Sequence, residues 1–284
     1  MLEAILEYEF MRYALIAGLL GAVACGIVGV YVVVKRIVFI SGGIAHASFG
    51  GIGLGYLVGG ISPVLGATLF ALASALGMGL VTRRTRLSED TVIGIMWAAG
   101  MAIGVIFIGL TSGYTADPIS YLFGNILAVT FSDLILMLVL DTIIVLIVIA
   151  FYKELMALSF DEEFGTVVGV PVQTLYLLLL CMIALTVVVL IRVVGVILVI
   201  AWLTIPVALA RQFTYDLRKM MLLSILFGAV LTFGGLWISY ESDVASGATI
   251  VLLSLAVLLV YFGFSKLRGK RSEIPVAPSQ KLGE

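Results

Sequence analysis

The sequence predicts an all-α bundle of eight or nine helices that cross a membrane. Of its 284 residues, 62% are hydrophobic and only 12% are charged, whereas soluble domains have roughly 45–50% and 25%. A water-soluble fold could not bury that much apolar surface. The apolar residues also fall into runs of about 20, which is the length that a helix needs to cross the hydrocarbon core.

These runs define nine candidate spans: 13–34, 38–60, 62–82, 91–112, 131–152, 173–192, 195–211, 219–240 and 247–265. Only Arg192 and Gly195 separate the sixth span from the seventh, so the seventh is either a full span or a shortened or re-entrant helix. We assign residues 1–265 to one transmembrane domain. The polar residues 266–284, which include Pro275 and Pro278, form a short tail.

The basic residues predict the orientation of the chain. If the amino terminus is outside, all of the 16 Lys and Arg residues except Arg12 and Arg192 lie on the cytoplasmic side. The positive-inside rule favours this arrangement. We therefore expect the amino terminus outside and the carboxyl terminus in the cytoplasm. The net charge of −1 gives no indication of nucleic-acid binding.

The second span, ISGGIAHASFGGIGLGYLVGG, is rich in glycine. Small residues recur at every fourth position, at Gly43, Ala47, Gly51, Gly55 and Gly59. Such a row forms a smooth ridge that allows another helix to approach closely in lipid. The ridge therefore predicts close helix packing along this span.

His46, the only histidine of the chain, lies beside this ridge. Gly42 and Gly50 lie one turn away on either side, so we expect free space around the imidazole. A titratable group inside a membrane is costly and by default marks a substrate or ion pathway. The alternative is an imidazole that only donates a hydrogen bond to a neighbouring helix.

Three carboxylates are further candidates. Asp141 lies near the middle of the span 131–152, where a charge costs about 2.5–3.5 kcal/mol, so it should face the bundle interior. It could be an oxygen ligand for a metal ion, a proton site or only a structural hydrogen-bond acceptor. Glu241 and Asp243, at the outer end of the eighth span, would attract an entering cation or would simply be solvated.

Pro206 lies inside the seventh span. It removes the backbone hydrogen bond to Trp202, which kinks or breaks a helix. Interrupted helices of transporters commonly line the substrate path. We therefore assign Pro206 to gating.

Residues 159–170 predict a short helix on the cytoplasmic side. Ser159 and Glu162 fit a capping box at its start, and Gly169 fits its end. An exposed apolar patch beside acidic residues needs a partner, either a protein or the membrane surface, and an anionic leaflet would repel the acids. The residues assigned to a protein contact are Phe160, Asp161, Glu162, Glu163, Phe164 and Gly169.

Four strings together resemble the ABC-3 family, the permease subunits of zinc, manganese and iron importers. They are AHASFGG, FDEEFG followed by GVP, GVILVIAWLTIPVALAR, and SY followed by SGATIVL. In this family the second span carries an Asp, three intervening residues and a His. His46 is kept here, but Gly42 replaces the Asp, so either another helix supplies the oxygen ligand or the substrate differs.

The resemblance implies a homodimer in the cell membrane of a bacterium or archaeon. A cytoplasmic ATP-binding subunit would dock on residues 159–170, and an extracytoplasmic receptor protein would deliver the metal ion. The metal ion is then the transported substrate, and we expect no permanently bound cofactor. His46, Asp141, Glu241 and Asp243 would face the ion. The chain has no P-loop string, so we expect ATP to bind to the partner subunit and this chain not to be an enzyme.

Two other functions stay open. One is an ion-coupled secondary transporter that uses Asp141, which would need no ATPase. The other is an ABC importer of a metal chelate, which would normally have a longer chain and one more span. The metal also stays open, because imidazole suits zinc and carboxylates suit manganese.

Overall fold

The computed structural model describes residues 7–59, 61–111 and 119–267. Within these ranges every regular element is helical. The elements are α1 (Glu9–Val34), α2 (Val38–Val58), α3 (Pro63–Arg84), α4 (Glu89–Leu110), α5 (Ile119–Phe123), a 3₁₀ turn (Ile126–Ala128), α6 (Phe131–Ala150), α7 (Tyr152–Phe160), α8 (Glu162–Val167), α9 (Val172–Val193), α10 (Gly195–Arg211), α11 (Leu217–Ser242) and α12 (Ser246–Leu267). The predicted tail lies outside the described residues from position 268 onward.

Of the helices in these ranges, eight are long and apolar enough to cross a membrane: α1, α2, α3, α4, α6, α9, α11 and α12. The remaining apolar helix, α10, has 17 residues and is therefore about 26 Å long. A Cβ atom added to Gly21 of α1 would meet Trp202, and one added to Gly29, further along α1, would meet the carbonyl of the later residue Leu203. Because the contacts advance along both helices together, α10 runs beside α1 in the same direction. The seventh predicted span is thus a shortened helix inside the bundle.

Side-chain caps fix where several helices begin. Ser62 accepts a hydrogen bond from the backbone of α3, and Ser88 does so for α4. Thr130 forms a capping box at the start of α6, and Asp216 caps α11. Each cap satisfies a backbone N–H group that has no partner within its helix. At its other end α2 stops at Gly59, whose φ of 65° suits glycine.

The helices form two groups that share two central members. In the first group α2 packs against α3 and α4, and in the second α1 packs against α11, which in turn packs against α12. Both α9 and α10 contact α1 as well as α2 and so join the groups. Helix α2 is largely enclosed, whereas α4 and α12 expose most of their residues.

Close backbone contacts hold α2 between α3 and α4. A Cβ atom added to Gly51 would collide with the carbonyl of Gly66 on α3, and one added to Gly53 would lie 2.7 Å from the carbonyl oxygen of Gly104 on α4. The predicted close packing along the small-residue ridge is therefore confirmed. Gly59 is the exception, because a Cβ atom there would meet nothing within 4 Å and the residue ends the helix instead.

Ion pairs and a cation–π contact between different helices lie at one end of the bundle. Lys35 at the end of α1 and Arg83 in the last turn of α3 both pair with Glu162 of α8. At the start of α11 the Arg218 guanidinium lies 4.6 Å from the centre of the Tyr152 ring. We call this side of the molecule the basic end.

The close contact of α2 with α3 can be tested with a single methyl group. Gly51→Ala should lower the thermal midpoint in detergent, because the added Cβ atom meets backbone that cannot move aside, and such overpacking costs about 1–3 kcal/mol. Gly77→Ala on α3 is the matched control, since a Cβ atom there meets nothing within 4 Å. Equal midpoints for the two variants would show that α2 and α3 are further apart than the structure has them.

Candidate functional site

His46 is buried where α2 faces α4. Its side chain is 8% exposed, and its ring stacks on that of Trp97, with 3.9 Å between the ring centres and 14° between the planes. The Nδ1 atom is buried and has no hydrogen-bond partner among the described residues. We expected free space around the imidazole. This prediction was wrong, because the Trp97 indole fills that space. An unprotonated ring nitrogen in this position can bind a metal ion.

Gly42 faces the same part of the interior as His46. A Cβ atom added there would collide with the Ile200 side chain of α10 and would lie 3.5 Å from the Trp97 ring. Ile200 thus occupies the place that the side chain of residue 42 would take. The wall beside the imidazole is therefore apolar and aromatic at the position where the resembling family has a carboxylate.

Trp97 is the residue at this site that sequence reasoning did not identify. It lies 51 positions after His46 in an apolar span, where a tryptophan cannot be told from ordinary core packing. The available signal was the glycine at position 100, since Gly100 lets α4 approach Ala47 closely. A small residue one turn after the tryptophan brings that turn of α4 against α2, and with it the indole over the imidazole.

Asp141 faces the interior, as predicted, and is 4% exposed. Neither carboxyl oxygen has a hydrogen-bond partner among the described residues, and the carboxyl group is close enough to the Cys25 thiol of α1 to interact with it electrostatically. Helix α6 packs mainly against α1, α9 and α7, and α2 is not among these neighbours. The structure therefore places Asp141 in a different interhelical contact from His46. A buried carboxylate without a donor is unfavourable, so this group needs a proton or a cation.

Glu241 and Asp243 lie at the end of the bundle opposite the basic end. Both are exposed, and Asp243 ends α11 with a left-handed φ of 52°. The adjacent Ser239 hydroxyl donates to the carbonyl of Val244 at 2.6 Å, which stabilises this turn. In the part of the chain that is described, no three His, Cys, Asp or Glu residues come together as a metal site. The roles of both acids in attracting a cation stay predictions.

Pro206 does not interrupt its helix. Helix α10 continues from Gly195 to Arg211 with Pro206 buried inside it. Two residues earlier the Thr204 hydroxyl donates to the Ile200 carbonyl at 2.8 Å. Of the expected kink or break, the break is therefore absent, and a kink and a gating role for Pro206 stay predictions.

Helix α8 differs from the predicted helix 159–170 in where it begins. Asp161 has an extended φ of −154°, and its carboxylate accepts a hydrogen bond from the Phe164 backbone at 2.9 Å. Ser159 belongs to α7, where its hydroxyl donates to the Leu155 carbonyl at 2.7 Å. The prediction of a capping box formed by Ser159 and Glu162 was wrong, because Asp161 provides the cap. Gly169, with a φ of 86°, follows the helix as predicted.

The surface around α8 is apolar and exposed. Phe160 and Phe164 are 64% and 60% exposed, and Val167 is 86% exposed. A cavity of about 530 Å³ lies next to it, between α8 and the start of α9, and Glu162 and Glu163 line it together with Arg83. An apolar surface next to an acid-lined cavity fits a protein partner better than an anionic membrane surface.

Known proteins are similar to this chain over nearly its whole length. An uncharacterized membrane protein of Synechocystis sp. is 47% identical over 269 residues, which cover 94% of this chain and 95% of that protein. The manganese transport system membrane protein MntC of Listeria monocytogenes is 35% identical over 268 residues, with coverages of 94% and 95%.

A solved structure agrees with this similarity. A chain in the structure of PsaBC from Streptococcus pneumoniae in complex with Fab superposes with a TM-score of 0.84 at 31% identity. The superposition covers 94% of this chain and 98% of that one. The predicted all-α permease fold is therefore confirmed.

The family follows from these matches. Residues 7–265 match the sequence profile of the ABC 3 transport family, and this range includes all of the long apolar helices except the last two residues of α12. The predicted family resemblance is therefore confirmed. The chain is a multi-pass membrane protein that belongs to the ABC-3 transport family, as a permease subunit for metal transport.

Proposed function

We propose that this chain is the membrane subunit of an ATP-driven importer for a divalent transition metal ion and that His46 lies on the ion path. The observation that carries the proposal is the buried, unpartnered Nδ1 atom of His46 in a permease of this family. A relative named as a manganese transport protein supports the class of substrate. Zinc, manganese and iron are the ions to compare.

The chemistry of the site suits transient binding. Imidazole is a good ligand for zinc and iron, whereas manganese prefers oxygen. With Ile200 beside Gly42, helix α2 offers one nitrogen ligand and no carboxylate. A conducting site must bind well enough for the ion to enter and weakly enough for it to leave, and a single imidazole ligand from α2 favours release over tight binding.

Transport through this site requires movement of the helices packed around His46. Trp97 covers one face of the imidazole, and the Nδ1 atom, whose lone pair lies in the ring plane, is buried, so an ion reaches Nδ1 only after these helices separate. Rigid displacement of packed helices around a central site is a common form of alternating access. We infer that α4 moves against α2 along the close contacts at Gly100 and Gly104.

The proposed assembly is a homodimer of this chain with two further kinds of subunit. An ATPase docks on the exposed apolar surface around α8, and a receptor protein delivers the ion at the opposite end. The positive-inside rule then places the basic end in the cytoplasm and the amino terminus outside. The apolar outer faces of α4 and α12 contact lipid or the second copy.

The buried carboxyl group of Asp141 favours a second candidate function, an ion-coupled secondary transporter. Neither of its oxygens has a partner among the described residues, which is expected of a site that takes up a proton or a sodium ion. This candidate predicts transport without ATP, and it makes Asp141 rather than His46 the essential residue.

The substrate test is uptake of radioactive zinc, manganese and iron into proteoliposomes that contain this chain, its ATPase and its receptor. We expect ATP-dependent uptake of one metal and a loss of about tenfold or more in His46→Phe, because Phe keeps the ring stacked on Trp97 but has no ligand nitrogen. An unchanged thermal midpoint would show that this variant still folds.

Two results would contradict the proposal. Uptake that needs no ATP would exclude the importer, and full uptake by His46→Phe would remove His46 from the path. Gly77→Ala, which adds a methyl group without a steric collision, is the control for reconstitution.

The two candidate functions differ in the effect of Asp141→Asn. We expect ATP-dependent uptake by this variant to stay within about twofold of the wild type, because Asp141 and His46 lie in separate interhelical contacts. The same proteoliposomes are measured with and without a proton gradient. Abolished uptake in Asp141→Asn, together with a requirement for the gradient, would favour the secondary transporter.

A further inference from the structure

Glu162, the first residue of α8, is held by cations from two other helices. Lys35 at the end of α1 forms an ion pair with it and also donates to the Leu158 carbonyl at 3.2 Å. Arg83 of α3 donates to its other carboxylate oxygen at 3.4 Å. The Lys35 side chain is only 11% exposed, so solvent and salt screen its pairing less than that of a surface pair. Glu162 thus ties α8 to the long helices α1 and α3.

Both cations also contact the ring of one tyrosine. The Tyr176 ring of α9 lies 4.5 Å from the Arg83 guanidinium and 5.6 Å from the Lys35 ammonium. Tyr176 is 3% exposed, so these cation–π contacts are largely shielded from water and correspondingly strong. The position of Tyr176 therefore depends on the same two cations that hold Glu162.

Tyr176 connects this cluster to the helix that covers His46. Its hydroxyl group donates to Glu89 at 3.3 Å, and Glu89 is the first residue of α4. Trp97 lies eight residues further along α4, about 12 Å by helix geometry, and stacks on His46. A continuous set of polar contacts therefore leads from α8 to the start of the helix that carries Trp97.

We propose that Glu162, Lys35, Arg83, Tyr176 and Glu89 form a relay through which movement of α8 displaces α4 and uncovers His46. The inference rests on the proposed function, because it assumes that a partner subunit moves α8. The five residues touch neither the ion nor the nucleotide. They are positioning residues, and their loss should separate ATP hydrolysis from transport.

The relay is specific to one of two adjacent acids on α8. Glu163 is exposed and is in none of the ion pairs formed by the described residues. If α8 only needed negative charge at its start to complement the helix dipole, either acid would serve equally. The two cations converge on Glu162 alone.

The test measures metal uptake per ATP hydrolysed in the reconstituted complex. Glu162→Gln and Tyr176→Phe should each lower this ratio by about fivefold. In Tyr176→Phe, which changes a buried residue outside the docking surface, ATP hydrolysis and binding of the ATPase subunit should stay within about twofold of wild type. Tyr176→Phe keeps the ring beneath the cations and removes only the hydroxyl that bonds Glu89. Asp90→Asn, which alters the exposed acid next to Glu89, is the control and should keep the wild-type ratio.

A double variant tests whether the two residues act in one relay. Glu162→Gln combined with Tyr176→Phe should be no worse than either single change, because breaking one link already interrupts the connection. Additive losses would overturn the relay, and so would an unchanged uptake ratio in both single variants. If the ratio falls in Glu162→Gln but not in Tyr176→Phe, Glu162 acts only in docking the ATPase and the relay is also wrong. A wild-type complex without ATP-driven uptake would instead refute the proposed function.

Discussion

The architecture depends on backbone contact between helices in lipid. Lipid chains are as apolar as leucine side chains, so hydrophobic burial gives little drive for helices to associate, and van der Waals contact must supply it. At Gly51 and Gly66, and again at Gly53 and Gly104, α2 meets α3 and α4 without side chains between them. That contact fixes the position of the imidazole of His46 within the bundle. Larger side chains at these positions of α2 would push away α4, the helix that covers the histidine.

The fold could be predicted because each membrane-spanning helix is determined by residues that are close together in the sequence. A run of apolar residues and a cap such as Ser62 or Asp216 are enough to place a helix, and the small residues from Gly43 to Gly55 already indicate close packing. Helix α8 was placed less accurately, since Ser159 and Asp161 are both good capping residues and only the tertiary structure selects between them. Which of these two residues caps α8 depends on where the preceding helix α7 ends. Helix α7 has no strong apolar pattern from which its end could be predicted.

The candidate site could be predicted only in part. A lone histidine in a span is conspicuous, so His46 was found, but its neighbours come from distant segments. Trp97 and Ile200 resemble ordinary core residues. The nearby signal, Gly100, indicates that α4 packs closely against another helix but not which helix it meets. Asp141 was correctly predicted to be buried, yet sequence alone could not show that its helix packs against α1, α9 and α7 instead of α2. Contacts between helices depend on their relative rotation, which a single sequence does not encode locally.

The stack of Trp97 on His46 gives the indole an affinity for positive charge on the imidazole ring. A metal ion on Nδ1 withdraws electrons from the ring, which then presents partial positive charge to the electron-rich face of the indole. An anion would gain no such attraction. If His46 binds the ion as proposed, Trp97 acts as a lid that the bound cation draws shut, and occupancy itself favours the closed pathway. An importer with this geometry would hold its cargo most firmly just when both sides of the membrane must be kept apart.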